Sequence, residues 1–330
     1  MAVLYGLVAG VVNNSMEKAM IEEIYDNTRL SSYLNCEMQG YYAHGYKGTG
    51  IISREPSVAL AFGLGFHAMA ETWCNQLLRG QTTEWDSIQE TFRAIWDREL
   101  PGELTAKLEM TADRHSIANA MRLFKGYAEK FPPSLYQTIE VEKPFKLPLG
   151  VVDGTQIYWA GILDRIVKFQ EGIYYLELKT SSHRIDEKWL DSFKTSGQMR
   201  GYVWAGQQLL GQEFASTIVH GVEKASIPKT GHARKVEELI GAGVLDVSQS
   251  LLNEWVSNTL ATIEQIHRIQ RENKYRMSLG DACNAYNFSG CPYRRLCGND
   301  PGMRQQIIEE NFVQRRWDPL AEQRSTLIVS

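Results

Sequence analysis

Gly161-Ile-Leu-Asp-Arg-Ile-Val-Lys-Phe-Gln-Glu-Gly-Ile-Tyr-Tyr-Leu-Glu-Leu-Lys179 is the stretch on which the fold turns. Apolar and β-branched residues fill two arms around Gln170-Glu171-Gly172, which predicts a β-hairpin. Side chains alternate faces along a strand. On the second arm Tyr174, Leu176 and Leu178 then point one way, and Tyr175, Glu177 and Lys179 the other. On the first arm Ile162, Asp164 and Ile166 share a face, so the hairpin is expected to bring Asp164, Glu177 and Lys179 together. Two carboxylates and an ammonium on a mostly apolar hairpin are costly to bury without a partner. A divalent cation would supply one. Mg²⁺ and Mn²⁺ prefer oxygen ligands and keep several waters, so one or two carboxylates suffice. A lysine two residues past the acidic ligand can orient or deprotonate a water, or balance charge on a phosphate. A Glu-x-Lys triplet alone equally fits a solvated strand face; the second acid and the apolar flanks point to the metal.

The chain of 330 residues can bury a large core, and its hydrophobic fraction of 43% excludes disordered and fibrous classes. A net charge of −4 gives no global attraction to nucleic acid, so any DNA contact must use local patches. The apolar start, Met1 to Val12, lacks the positive n-region of a signal peptide and reads as a strand or packed arm. No stretch reaches the ~18 apolar residues of a membrane helix. A cytoplasmic protein is expected, and an odd count of five cysteines argues against a disulfide framework.

Helical spacing covers residues 15–28, with a further helix entry at Thr28 or Ser31. Residues 37–56, rich in Gly and Tyr, read as loop. A buried helix is predicted from Pro56-Ser57 through Cys74, with His67 and Glu71 on one face. Helical pattern continues to Phe131, where Pro132-Pro133 ends it. A short strand follows over 138–145, then the hairpin, a helix from Trp189 to Leu210, a strand over 217–222, and an amphipathic helix from Leu251 to Arg271. Gln198 and Tyr202 lie four apart on one helical face.

Asp164, Glu177-Leu-Lys179-Thr-Ser, Gln198-x-x-x-Tyr202 and Gly63-Leu-Gly-Phe-His67 in this order resemble the core of the PD-(D/E)XK nuclease superfamily, more closely its RecB-like exonuclease branch. An acidic strand before the hairpin in that branch is matched loosely by Glu142-Lys-Pro-Phe. The resemblance implies an α/β fold with a restriction-endonuclease-like core, a central mixed sheet flanked by helices. It implies His67, Asp164 and Glu177 as ligands of Mg²⁺ or Mn²⁺, helped by the Leu178 carbonyl. Lys179 would be the catalytic lysine, with Gln198 and Tyr202 near the phosphate or the attacking water.

Cys283, Cys291 and Cys297 crowd into one short segment. Four thiolates are needed for a [4Fe–4S] cluster or an all-cysteine zinc site, and Cys36 is the candidate fourth. Iron–sulfur RecB-like nucleases, including CRISPR adaptation exonucleases and AddB-type enzymes, likewise carry one early and three late cysteines. Their usual late spacing is Cys-x2-Cys-x5-Cys; here the x5 interval matches and the first interval is seven residues. Zinc is the alternative metal. Cys74 reads as a plain core residue.

Basic residues suited to DNA are local: Lys224, Lys229, Arg234 and Lys235 in one loop, and Arg294 and Arg295 beside the cysteines. Tyr41, Tyr42 and Tyr293 are candidate base-stacking residues. The expected organisation is one nuclease domain over 1–330, with a helical insertion at 68–135 that arches over the active site. Segments 15–40 and 272–300 would form an iron–sulfur module. The expected activity is metal-dependent DNA hydrolysis, exonucleolytic on single strands or duplex ends, in recombination and repair or in CRISPR spacer acquisition and antiviral defence. Partners would be a helicase, an annealing protein or a CRISPR integrase, since no P-loop motor motif is present. The alternative from another class is a DNA-binding iron–sulfur structural module without cleavage, against which the intact set Asp164, Glu177 and Lys179 argues.

Overall fold

The computed structural model describes residues 21–111, 113–211, 214–226, 234–278, 280, 282–285, 290–321 and 327–328. The apolar start at residues 1–12, expected as a strand or arm, lies outside them, as do 15–20 of the expected module.

In chain order the elements are β1 (Glu22–Tyr25), α1 (Asn27–Asn35), α2 (Glu37–Gly40), β2 (Ile51–Ser53), α3 (Val58–Leu78), α4 (Trp85–Glu99), α5 (Gly102–Met110) and α6 (Ile117–Lys130). Then come β3 (Gln137–Val152), β4 (Thr155–Phe169), β5 (Gly172–Ser181), α7 (Glu187–Asp191), α8 (Gly197–Leu210), β6 (Phe214–Glu223), β7 (Ile240–Leu245) and α9 (Gln249–Glu272). The chain closes with α10 (Ala282–Ala285), α11 (Arg294–Cys297), α12 (Arg304–Asn311), β8 (Phe312–Arg316) and β9 (Leu327–Ile328).

The hairpin forms as the sequence predicts, with Phe169 opposite Gly172 and Arg165 opposite Leu176. It sits in a mixed sheet of order β1-β4-β5-β6-β7, with β3 along the other edge of β4. β4 is buried along most of its length because helices cover both faces and strands pair both edges. On one edge β4 changes partner: Gln156 to Trp159 pair in parallel with β1, and Arg165 to Phe169 pair with β5. Between these two ladders the sheet forks, and Asp164 stands at the fork.

Helices α3, α4 and α6 cover one face, packing Phe62, Phe66, Trp73, Phe92, Trp96 and Phe124 over Val167, Leu176, Leu178 and Ile218. Each such fully buried side chain contributes roughly 1.5–3 kcal/mol. The helices of the expected 68–135 insertion thus cover one sheet face together with α3. Helices α1, α8 and α9 cover the other face through Leu30, Val203, Trp204, Trp255 and Ile263. A third, smaller core joins the two ends of the described chain: Met38, Tyr42 and Ile51 pack with Cys291, Leu296, Ile308 and Phe312. There β2 pairs antiparallel with β8.

Several boundaries differ from the sequence reading. Residues 22–25, read as helix, are a strand, because pairing with the central β4 satisfies their backbone groups. Asp26, not Thr28 or Ser31, caps α1, its carboxylate accepting the Arg29 N–H at 2.9 Å. Residues 37–56, read as loop, contain α2, a π-helical turn over Tyr41–Gly45 and β2. The helix read as continuous from Trp189 divides into α7 and α8, the latter capped afresh by Ser196. The strand read as short extends to Val152 and returns through Asp153-Gly154, both at positive φ as a tight hairpin turn requires.

Candidate active site

Helix α3 starts at the Ser57 cap, as its Pro-Ser signal implies, and carries His67 towards β4. Gly65 makes this seating feasible: a Cβ there would lie 2.7 Å from the Phe92 ring. At Gly63 the nearest atom to a Cβ would be Thr180 Oγ1 at 3.7 Å, which places the start of α3 beside the end of β5. His67 Nδ1 lies 3.3 Å from Asp164 Oδ2. The Asp164 carboxylate also accepts the Leu178 N–H at 3.3 Å, so it bridges the fork where β4 and β5 part.

Strand alternation slips at this point. Leu163 and Ile166 both belong to the core under α8 and α9, although an unbroken strand would set residues three apart on opposite faces. Directly across, on β3, Glu142 holds a left-handed φ of 48° between the pairs Val141–Arg165 and Lys143–Leu163. Ligating atoms of His67, Glu142 and Asp164 lie within 4.8 Å of one another. A small cavity of about 20 Å³ adjoins them, lined also by Glu71, Arg165 and Leu178. An imidazole and two carboxylates converging on a space of roughly one water suit a divalent cation that keeps part of its hydration.

Glu177, 2% exposed, ion-pairs with Lys179, two residues along the same strand face. The Lys179 ammonium donates to Gln198 Oε1 at 3.1 Å, and Gln198 Nε2 donates to the Tyr202 hydroxyl at 3.2 Å. Tyr202 is fixed edge-on against Tyr175, ring centroids 4.9 Å apart. The residues named from the sequence therefore fall into two groups. His67 and Asp164 meet between α3 and β4; Glu177, Lys179, Gln198 and Tyr202 run from β5 to α8. Leu178 joins them, donating to Asp164 from between Glu177 and Lys179. Glu142 enters the first group; the sequence marked it only as a loose acidic-strand match, because no pattern reveals a left-handed residue inside a strand.

Three of the four cysteines, Cys36, Cys291 and Cys297, belong to the third core. Cys36 lies between α1 and α2, and its Sγ accepts the Ser278 N–H at 3.3 Å. Cys291 N–H donates to the Cys283 carbonyl at 2.8 Å, closing the interval of seven. Burial raises the Cys291 thiol, and Cys283 and Cys36 add to the rise. Burial pushes the Cys297 thiol up to about 11, with Cys36, Cys291 and Cys283 contributing. The four thiols thus lie within electrostatic reach of one another across the chain's two ends.

The candidate DNA contacts divide. Lys224 is buried at the end of β6, its N–H donating to the Ser181 carbonyl at 2.7 Å. Arg234 forms a two-pronged pair with Glu223, and Lys235 lies 3.7 Å from Glu237. Lys229 lies outside the described residues. Arg294 is exposed, and exposed Arg295 donates to Asn311 at 2.9 Å. Of the tyrosines, Tyr293 is buried with its hydroxyl donating to the Ile51 carbonyl at 2.7 Å, Tyr42 is buried, and Tyr41 stacks on Tyr275. They build the third core.

Residues 27–298 match the family model of the PD-(D/E)XK nuclease superfamily, and the chain belongs to that superfamily. Among solved structures, a candidate exonuclease from Eubacterium rectale aligns over 86% of this chain and 94% of its own, at 13% identity and a TM-score of 0.47. The protein SSO0001 aligns over 82% of this chain and 92% of its own, at 15% identity and a TM-score of 0.28. No curated protein matches the chain significantly. Among the described residues no helix is long and apolar enough to cross a membrane.

Proposed function

We propose that this nuclease is a metal-dependent deoxyribonuclease that removes nucleotides from single strands or duplex ends. The observation that carries the reading is the joining of two groups at the sheet fork. His67, Glu142 and Asp164 converge on one point, while Lys179 is held by Glu177 and Gln198 only one strand residue from Leu178.

His67, Glu142, Asp164 and Glu177 would hold Mg²⁺ or Mn²⁺. Such an ion, when bound, withdraws charge from the scissile phosphate and lowers the pKa of a water. The remaining work falls to the chain. An ammonium has three N–H donors. Glu177 and Gln198 take two from Lys179, which leaves the third to face a phosphate oxygen or the attacking water. That donor stabilises charge developing on the phosphate. Tyr202 fixes the amide of Gln198 and so the rotamer of Lys179.

The same reading assigns Cys36, Cys283, Cys291 and Cys297 to a [4Fe–4S] cluster that ties the two chain ends, which would add its binding energy to folding. Recombination and repair, or CRISPR spacer acquisition, are the settings such an enzyme suits, with a helicase, annealing protein or integrase alongside.

The test is cleavage of labelled linear and circular DNA with Mn²⁺ or Mg²⁺ by wild type, Glu177→Ala and Lys179→Ala. The expected result is a loss of roughly 10²-fold or more in each variant, and resistance of circular strands. Equal activity of all three would refute the assignment; equal digestion of circles would refute the exonuclease part. Metal analysis tests the cysteines: a colourless protein holding zinc overturns the cluster.

A further inference from the structure

Lys224 stands out among the buried groups. It is 6% exposed, and among the described residues no acid pairs with it. Its neighbour Glu223 is engaged by Arg234. Its Nζ lies 5.7 Å from the centroid of Phe62. His115, itself 8% exposed, packs against the same ring, centroid to centroid 5.6 Å. His115 Nδ1 meets Asp113 at 2.9 Å, while its buried Nε2 has no hydrogen-bond partner among the described residues. Arg114 is close enough to lower the Lys224 pKa, a shift that burial dominates. Arg122 lies next to it, held by neutral acceptors, the Asn119 amide oxygen and the Ala225 carbonyl. Of the nearby acids, Asp113 is on the far nitrogen of His115 and Glu109 accepts the Ile117 N–H. Four cationic or protonatable groups therefore gather with little counter-charge, which is unfavourable unless an anion joins them.

Their position relative to the active site is set by two elements. Phe62 precedes His67 by five residues on α3, an axial distance of about 7.5 Å. Ser181, whose carbonyl takes the Lys224 N–H, follows Lys179 by two residues on β5, about 7 Å along the strand. Both routes put the residues that anchor the cluster about 7 Å along their elements from His67 and Lys179.

We propose that Lys224, His115 and Arg114 form a second anion pocket that holds a phosphate of the substrate strand adjacent to the scissile one. The identity of the anion rests on the nuclease reading; the existence of the pocket does not. The phosphate is either an internal one or the terminal 5′-phosphate, which share the same chemistry. The buried Lys224 ammonium would donate to it, and so would His115 Nε2 once the anion draws a second proton onto the imidazole, whose Nδ1–H is held by Asp113; Arg114 would close it from the solvent side.

The experiment has two arms on the full chain. In EDTA, binding of inorganic phosphate and of a 5′-phosphorylated dinucleotide is measured for wild type, Lys224→Met and His115→Gln, with thermal melting as the folding control. Wild type should bind, and each variant should bind about tenfold more weakly; Lys224→Met should melt close to wild type, since removing an unpaired buried charge does not cost stability. In the second arm, cleavage with Mn²⁺ is compared on 5′-phosphorylated and 5′-hydroxyl strands. KM should rise about tenfold in Lys224→Met with kcat nearly unchanged. A rise confined to phosphorylated strands assigns the terminal phosphate; a rise on both assigns an internal one. Absence of phosphate binding by wild type, or binding by both variants as tight as wild type's, overturns the proposal. Lys224-dependent binding by a protein that cleaves no DNA would leave the pocket standing and remove the nuclease reading.

Discussion

Replacing Glu142 by glycine separates two effects that the site geometry couples. Glu142 occupies a left-handed conformation at φ 48°, which costs a residue with a Cβ roughly 1–2 kcal/mol. Glycine relieves this and loses about 0.5–1 kcal/mol to the greater freedom of the unfolded chain. The substitution also removes a carboxylate whose oxygen lies within 4.8 Å of an Asp164 oxygen. At an effective dielectric constant of about 20, that repulsion amounts to about 3 kcal/mol before His67 offsets part of it. His67 Nδ1 is 3.3 Å from Asp164, so the offset is substantial. The metal-free variant should therefore be more stable than wild type by about 1–2 kcal/mol. Metal reverses the order. A ligand at a hundredfold its Kd stabilises by about 2.7 kcal/mol, and a site deprived of one carboxylate should forfeit most of that gain. Urea unfolding in EDTA and in Mn²⁺ reads both terms. A variant that is less stable than wild type in EDTA, yet gains as much from Mn²⁺, would refute the role given to Glu142.

Other expectations follow from the same physics. Burial holds His220 at a pKa of about 3, between the Tyr127 hydroxyl at 3.0 Å and the Tyr136 hydroxyl at 3.3 Å. Below its ordinary value of 6.5 the unfolded chain binds the extra proton, so stability should fall as pH drops towards about 3. His220→Gln should flatten that fall in urea midpoints; an unchanged slope would refute it. Burial, then Arg114, lowers Lys224 to about 8. Both states are charged below that pH, and between about 8 and 10.5 the unfolded state binds more protons, so stability should rise with pH there. Lys224→Met should remove the rise, and phosphate affinity should weaken as pH passes 8 in wild type alone. Gly65→Ala would set a Cβ 2.7 Å from Phe92. Overpacking costs about 1–3 kcal/mol against a helix-propensity gain of up to about 1, so a net loss near 1 kcal/mol is expected from urea unfolding.

The hairpin, the helix starting at Ser57, the hydrophobic layers and the late cysteine segment were legible from residue order because each is a local pattern. Alternation marks β4 and β5, and a serine before an apolar helical run marks α3. The strand at Glu22–Tyr25 was not legible, since four residues of mixed polarity become a strand only when β4 offers its edge. The split between α7 and α8 and the long β3 depended likewise on neighbours. Asp153-Gly154 carries a local turn signal, but the register it sets is seen only in the folded sheet.

Sequence by itself determined which side chains are candidates for the chemistry: Asp164, Glu177 and Lys179 on one hairpin, His67 before it, Gln198 and Tyr202 after it, and cysteines near both ends. It did so because catalytic residue types at strand and helix spacing are local facts. Tertiary structure alone decided how they are grouped. The fork where β4 leaves β1 for β5, and the one-residue slip across from Glu142, turn Asp164 towards His67 and leave Glu177 to Lys179. Those are consequences of pairing between segments distant in the chain. So is the position of Lys224, which reads as a loop cation in the sequence and is a buried one beside Phe62 and His115 in the fold.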